Sequence, residues 1–225
     1  MIYEMRPASC MPDSCFCEAV RNHGIRQPAN TWSSLAFVVV AAMVLARWAR
    51  RPSAGRRAYP LLYAFTLVAV GLGSVFLHAT LSFAGQFADV FGMYLIATFA
   101  LLYSVDRLRG LSGAAFAGGY IASNAVLAMV LYWIPGVRRM VFGLLIVAVV
   151  LVEKLIRRRN AAVSTTKHLW MALGIMGLAF AIWILDFTRV LCSPYSWIQG
   201  HAIWHVLSAV AAWYLFRYYS ESRAS

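Results

Sequence analysis

The stretch AYPLLYAFTLVAVGLGSVFLHATLS, residues 58–82, decides the fold. It contains no Lys, Arg, Asp or Glu, and it is longer than the roughly 20 apolar residues that a helix needs to cross a bilayer. His78 lies near its end. The stretch therefore predicts a membrane-spanning helix that carries one buried imidazole.

Similar apolar runs follow along the whole chain. Hydrophobic residues make up 62% of the 225 residues, charged residues make up 12%, and the mean hydropathy is +0.69. One soluble core could not hide so much apolar surface, so lipid must cover part of it. We predict an all-α integral membrane protein, a seven-transmembrane helix bundle in one domain, with an external cap at 1–30, the bundle at 31–219 and a cytoplasmic tail at 220–225. The predicted spans are 32–48, 58–82, 87–105, 114–133, 140–156, 168–190 and 197–219.

The basic residues predict the orientation. The net charge is +12, but Lys and Arg form short clusters between the apolar runs instead of one basic face, which argues against nucleic-acid binding. Fourteen of the 20 follow the odd-numbered spans, and ten of these form two clusters at 47–57 and 154–167. The positive-inside rule then predicts an external N-terminus and a cytoplasmic C-terminus. The compact loops favour a multi-pass protein of the bacterial plasma membrane.

Four ionisable residues inside the spans predict a functional site. Charged or titratable groups in hydrocarbon are costly, so those that occur usually face the bundle interior and have a function. His78 lies one turn before the end of the second span, and Asp89 lies just inside the third, after the turn 82–86. His201 and His205 begin the seventh span. By the parity of seven spans, all four lie at the N-terminal side of the membrane, near the predicted external face.

Helical spacing indicates a metal site. Ser74 and His78 are four residues apart, as are His201 and His205, so each pair lies on one helix face. Three imidazoles with an open fourth position are typical of catalytic zinc. Such an ion polarises a carbonyl and provides a hydroxide nucleophile. We therefore predict that Asp89 acts as the general base and acid, and that Ser74 stabilises the oxyanion or orients Asp89.

Other interpretations of these residues stay open. A single membrane histidine is often only a hydrogen-bonding residue between helices, and Ser74, next to two glycines, also suits close helix packing. Asp186 is three residues before Arg189 and is predicted to form a local ion pair or a structural anchor. A receptor-like seven-helix protein with a structural zinc ion is one alternative function. An ion or proton transporter is another, although polar groups would then be expected through the membrane depth, and not at one rim.

The motifs resemble the alkaline ceramidase family, which belongs to the seven-helix hydrolases that include adiponectin receptors. They are Gly71, Gly73, Ser74 and His78; Asp89; Gln199, His201, Ala202, Trp204, His205 and Leu207; Cys17-Glu18 followed by Asn30, Thr31 and Ser33; and Asp186. The resemblance covers nearly the whole chain. It implies zinc bound by the three histidines, with Asp89 and Ser74 as auxiliary residues. It also implies hydrolysis of ceramide or a related N-acyl lipid to a fatty acid and a sphingoid base, with a membrane lipid as the partner.

The resemblance also bears on calcium. Animal members of the family bind this ion through an acidic N-terminal cluster, of which only Glu18 clearly remains here. Cys15, Val20 and Gln27 stand at other ligand positions. Calcium needs several oxygen ligands, so a thiol and a valine argue against a complete site. Calcium regulation is therefore doubtful.

The cysteines predict a disulfide. Cys10, Cys15, Cys17 and Cys192 all lie on the predicted external side, where disulfides persist. A bridge between Cys17 and Cys192 is favoured, because it would tie the cap to the loop before the histidine pair. A second metal site in the cysteine cluster is disfavoured, since the C-x-C spacing has no matching second pair.

Overall fold

The protein is helical throughout its described part. The computed structural model describes residues 5–11, 15–50, 58–159 and 166–221, and among these only an isolated bridge, Pro7 to Ser82, has β geometry. The α-helices are α1 Pro28–Ser33, α2 Leu35–Arg50, α3 Tyr59–Thr80, α4 Phe83–Arg109, α5 Gly113–Trp133, α6 Arg138–Arg159, α7 Thr166–Phe187 and α8 Gly200–Glu221. Because the short α1 leads directly into α2, these eight helices make seven long segments over the described residues.

Five of these segments are long and apolar enough to cross a membrane, which makes the chain a multi-pass membrane protein. They are Pro28–Arg50, Tyr59–Thr80, Phe83–Arg109, Gly113–Trp133 and Lys167–Phe187. The helix of the fourth predicted span, with its small and polar residues, is among them. Helices α6 and α8 have comparable lengths, but α6 is charged at both ends and α8 carries two histidines and three tyrosines.

Helix α4 begins earlier than the sequence predicted. The expected turn at 82–86 is wrong, since only Leu81 and Ser82 separate α3 from α4. Leu81 has a left-handed backbone (φ 48°), and the Ser82 hydroxyl accepts a hydrogen bond from the Gly85 N–H, which caps the new helix. Asp89 therefore lies nearly two turns inside α4, and not at its start.

The last two helices also differ from the predicted bounds. Helix α7 ends at Phe187 instead of residue 190, and α8 begins at Gly200 instead of residue 197. The predicted tail starts inside a helix, because α8 continues to Glu221. Residues 222–225, and Arg51, Arg56 and Arg57 of the first basic cluster, lie outside the described residues.

Close packing of α3 on α4 brings two site residues together. A Cβ at Gly73 would lie 2.5 Å from the Ala88 carbonyl oxygen, and a Cβ at Gly92 would lie 2.8 Å from the Val70 Cα. Only glycine allows the two backbones to approach so closely, as is common between membrane helices. Ser74 and Asp89, which directly follow Gly73 and Ala88, are consequently neighbours.

A second buried polar cluster lies at the opposite end of the bundle. Glu153 of α6 is buried, forms an ion pair with Arg107 of α4 at 2.9 Å, and accepts a hydrogen bond from Tyr218 of α8 at 2.6 Å. The Ser104 hydroxyl also donates to Glu153 at 2.5 Å. The grouping at one rim that was predicted for Asp89 and the histidines therefore does not extend to all buried polar residues, because Glu153 and its partners lie at the other end.

Candidate metal centre and cavity

Three histidines meet inside the bundle. His78 comes from the last turn of α3, and His201 and His205 come from the first two turns of α8. All three are buried, with exposed fractions of 0%, 5% and 3%. One ligand nitrogen from each ring lies within 4.8 Å of the other two. The structure thus brings together the three side chains that parity and helical spacing had grouped.

Gln27 determines which ring nitrogen of His78 carries the proton. The Gln27 amide nitrogen donates to the Glu18 carbonyl oxygen at 3.0 Å, so its oxygen faces His78 Nδ1 at 2.9 Å. A carbonyl oxygen only accepts hydrogen bonds, so Nδ1 carries the proton and Nε2 has a free lone pair. The Gln27 N–H also donates to the His78 carbonyl oxygen at 2.9 Å, which fixes the two residues to each other.

Two serines place the proton of His205 in the same way. Its Nδ1 lies 2.9 Å from the Ser33 Oγ and 3.3 Å from the Ser34 Oγ. Both hydroxyls donate to the Asn30 carbonyl oxygen, at 3.0 and 2.7 Å, so the Ser33 oxygen can accept from Nδ1–H. Nε2 of His205 is then the lone-pair nitrogen.

This donor set fits a metal ion. His78 Nε2 and His201 Nδ1 are buried atoms without a hydrogen-bond partner, which is costly unless something binds them. Two of the rings already hold their proton on the nitrogen that faces away from the cluster. Histidine ligands of metals are commonly held in this way by an outer hydrogen bond.

Ser74 and Asp89 lie beside the histidines. The Ser74 hydroxyl is 3.2 Å from His205 Nε2 and 3.0 Å from the Ser34 hydroxyl. The Asp89 carboxylate lies close enough to the Ser74 side chain to interact with it. Both residues line the same cavity as His201 and His205.

The N-terminal segment covers the histidines. The Phe16 ring stacks on His201 with a centroid distance of 3.7 Å and lies 5.1 Å from the His78 ring. Disulfides hold it on both sides, Cys10 to Cys15 and Cys17 to Cys192. The second is the pairing that the sequence favoured. The first pairing and the role of Phe16 were missed, although a ring between two cysteines is a signal of a fixed position.

Two carboxylates fasten this segment to the bundle. Glu18 is buried and accepts from the Ala29 and Asn30 N–H groups at 2.7 and 2.9 Å, at the start of α1. Burial raises the pKa of Glu18, while these two hydrogen bonds act in the opposite direction. Asp186 accepts from the Cys17 N–H at 3.2 Å and from the His201 N–H at 3.1 Å. Of its two predicted roles, these contacts match the structural anchor.

An apolar cavity leads away from the site. Its volume is about 1090 Å³, and its wall runs between α4, α6, α7 and α8 from the histidines to Glu153 and Arg157 at the other end. Between the two ends the wall is almost entirely aliphatic and aromatic. A cavity of this size and lining suits the chains of a lipid.

Fold and site together define a class of protein, a multi-pass helical membrane protein whose buried histidine cluster opens into a lipid-sized cavity. The ceramidase family model matches residues 14–225. The chain belongs to the ceramidase family.

Three relatives agree with this assignment. A provisionally assigned alkaline ceramidase of Dictyostelium discoideum is 26% identical over 178 residues, which are 70% of this chain and 62% of that protein. The alkaline ceramidase of Drosophila melanogaster is 27% identical over 237 residues, covering 96% and 79% of the two chains. That of Caenorhabditis briggsae is 24% identical over 212 residues, covering 87% and 76%. The match to the first relative thus spans slightly less than two thirds of that protein.

Proposed function

We propose that the protein is a zinc-dependent membrane amidohydrolase. It cleaves the N-acyl amide bond of ceramide or a related lipid and releases a fatty acid and a sphingoid base or amine. The observation that carries the proposal is the buried cluster of His78, His201 and His205, with Asp89 beside it, at the end of a lipid-sized apolar cavity. The alkaline ceramidase names of the relatives support the substrate class.

Zinc is the metal that the donor set favours. Neutral imidazoles suit this ion, and three protein ligands with one open position are typical of its catalytic sites. Bound there, zinc supplies a Lewis acid for the amide carbonyl and makes water a better nucleophile at neutral pH. His78 and His205 would each offer Nε2, since Gln27 and Ser33 accept the protons on the other ring nitrogens.

The remaining residues handle protons and exclude water. Asp89 takes a proton from the attacking water and returns it to the amine nitrogen as the amide C–N bond breaks. Ser74 orients Asp89 through its hydroxyl proton. Phe16 covers the histidines from the N-terminal side, so that bulk water reaches the site less easily. The lipid chains occupy the cavity.

The two alternative functions fit the structure less well. A receptor with a purely structural metal ion would not need Asp89 and the cluster to share the wall of a large cavity. A proton transporter needs titratable groups along its path, but the cavity wall between the histidines and Glu153 is apolar among the described residues. Glu153 itself is paired with Arg107 and Tyr218.

We propose the membrane arrangement on the basis of charge. Helices α6 and α8 cross the bilayer with the other five segments, which makes one seven-transmembrane domain with an external N-terminal cap and a cytoplasmic C-terminus. The bacterial plasma membrane stays a prediction, because the three relatives are eukaryotic.

We also predict that the activity does not depend on calcium. The Glu18 carboxylate already binds two N–H groups, and Cys15 is in a disulfide.

The test combines metal analysis with fatty-acid release. We expect about one zinc ion per purified wild-type chain and release of fatty acid from a panel of N-acyl lipids. His205→Ala should lose the metal, whereas Asp89→Asn should retain it and lose about 10²- to 10⁴-fold in rate, as is typical for loss of a general base. Absence of zinc from the wild type, or full activity of His205→Ala, would refute the proposal.

A further inference from the structure

Two arginines stand at the reactive end of the cavity without a role in the proposed chemistry. Arg138 and Arg139 begin α6 and contribute to the same cavity wall as Asp89 and His201. Arg138 is close enough to Asp89, and Arg139 to His201, for each pair to interact electrostatically. Neither arginine has a carboxylate within 4.0 Å over the part of the chain that the structure describes.

The position of these arginines is unfavourable in three ways. The start of a helix carries the positive end of the helix dipole, so cations there destabilise the helix. Both arginines lie at the histidine end of the bundle, opposite to the basic clusters, and therefore against the positive-inside bias. His201, near which Arg139 lies, belongs to a cluster suited to a metal cation, and a cation bound there would repel the guanidinium.

Their side chains are nevertheless held in place. Arg138 Nη1 donates to the Pro135 carbonyl oxygen at 2.8 Å. The Arg139 guanidinium carbon lies 4.1 Å from the Phe187 ring centroid and 5.4 Å from that of Trp183. A guanidinium stacked on an aromatic face keeps its N–H edge available for an oxygen anion. Asp89 offsets one of these two positive charges. The other fixed positive charge in the cavity wall indicates that an anion binds there.

We propose that Arg138 and Arg139 form an anion subsite beside the reactive centre, which binds a carboxylate or phosphate group of the lipid. This inference rests on the proposed amidohydrolase function. The anionic oxygens come either from an acidic headgroup on the amine half of the substrate or from the carboxylate of the released fatty acid. In both cases the chains lie in the apolar cavity and the charged group lies at its histidine end.

The experiment measures two ratios with Arg138→Gln/Arg139→Gln. The first is the ratio of kcat/KM for a phosphorylated ceramide to that for the neutral ceramide with the same chains. The second is the ratio of affinities for a fatty acid and the matching fatty alcohol, measured by displacement of a fluorescent lipid, which needs no catalysis. Charge-assisted hydrogen bonds are among the stronger ones, so we expect one ratio or both to fall about tenfold or more.

The matched control is Arg158→Gln, which changes the same residue type in the same helix at the other end of the cavity. It should leave both ratios at the wild-type values. A fall in the first ratio assigns the subsite to the substrate headgroup, and a fall in the second assigns it to the fatty acid. If neither ratio falls in the double variant, the subsite does not exist. If no lipid is hydrolysed, the proposed function fails, but the displacement ratio still decides whether an anion binds.

Discussion

Replacing Gln27 by leucine should weaken zinc binding by about 10- to 100-fold. The side-chain oxygen of Gln27 is the acceptor for His78 Nδ1–H at 2.9 Å, and Gln27 is fully buried, so water cannot take its place. When His78 Nε2 binds the metal, the Nδ1 proton cannot move and would face a hydrocarbon side chain. A buried N–H without an acceptor costs about 1–3 kcal/mol, which agrees with the range for loss of an outer partner of a metal ligand.

The effect should appear in metal affinity more than in folding. Without metal, the His78 ring can exchange its proton between the two nitrogens and so avoid part of the penalty. The assay is equilibrium competition for zinc between the purified protein and a chromophoric chelator. Gln27→Glu keeps an acceptor for Nδ1–H and should bind zinc within about threefold of wild type, because carboxylate–histidine–zinc arrangements are common. Its stability should fall, since it loses the donor to the Glu18 carbonyl oxygen.

The control for the two Gln27 variants is Thr31→Val. Thr31 is buried in α1, which begins directly after Gln27, and its hydroxyl donates to the Gln27 carbonyl oxygen at 2.7 Å. We expect unchanged zinc affinity in this variant. If folded Gln27→Leu binds zinc as tightly as wild type, then Gln27 does not orient His78 and the assignment of the ring proton is wrong.

Two further predictions concern packing and the second histidine. Gly73→Ala should lower the free energy of unfolding by about 1–3 kcal/mol, because the new Cβ would meet the Ala88 backbone. Gly118→Ala has open space around it and should change the free energy of unfolding by less than about 0.5 kcal/mol. Equal shifts of the melting temperature in the two variants would contradict the packing argument. Ser33→Ala alone should weaken zinc binding only slightly, because Ser34 lies 3.3 Å from the same nitrogen, while Ser33→Ala/Ser34→Ala should weaken it about tenfold or more. Additive effects of the two serines would show that they do not substitute for each other.

Much of the site could be predicted because it lies in regular helices. Parity places the ends of successive spans, and the four-residue spacing of His201 and His205 sets their common face. Together, the two rules place His78 beside His201 and His205. Asp89 was also placed on the correct side, but its depth was wrong, because the cap at Ser82 starts α4 earlier than hydropathy indicates.

The contacts of the N-terminal segment could not be predicted by such rules. Phe16, Glu18 and Gln27 lie in irregular chain, where neither a helical nor a strand period relates one side chain to the next. Their partners are 9 to 185 positions away, from Gln27 with Glu18 to Phe16 with His201. Glu153 was missed for a related reason, since its partners belong to two other helices.

The cap and the bundle contact different parts of the site, so they should control different properties of it. The cap contacts the histidines through Phe16, which stacks on His201, and through Gln27, which accepts from His78. Asp186 of α7 also joins the Cys17 and His201 backbones. The cavity for the lipid chains is instead built mainly from α4, α6, α7 and α8. Changes in the cap should therefore alter metal affinity and rate while leaving the preference for chain length intact. Changes in the cavity wall should do the reverse, because no described residue of the cap except Phe16 reaches that wall.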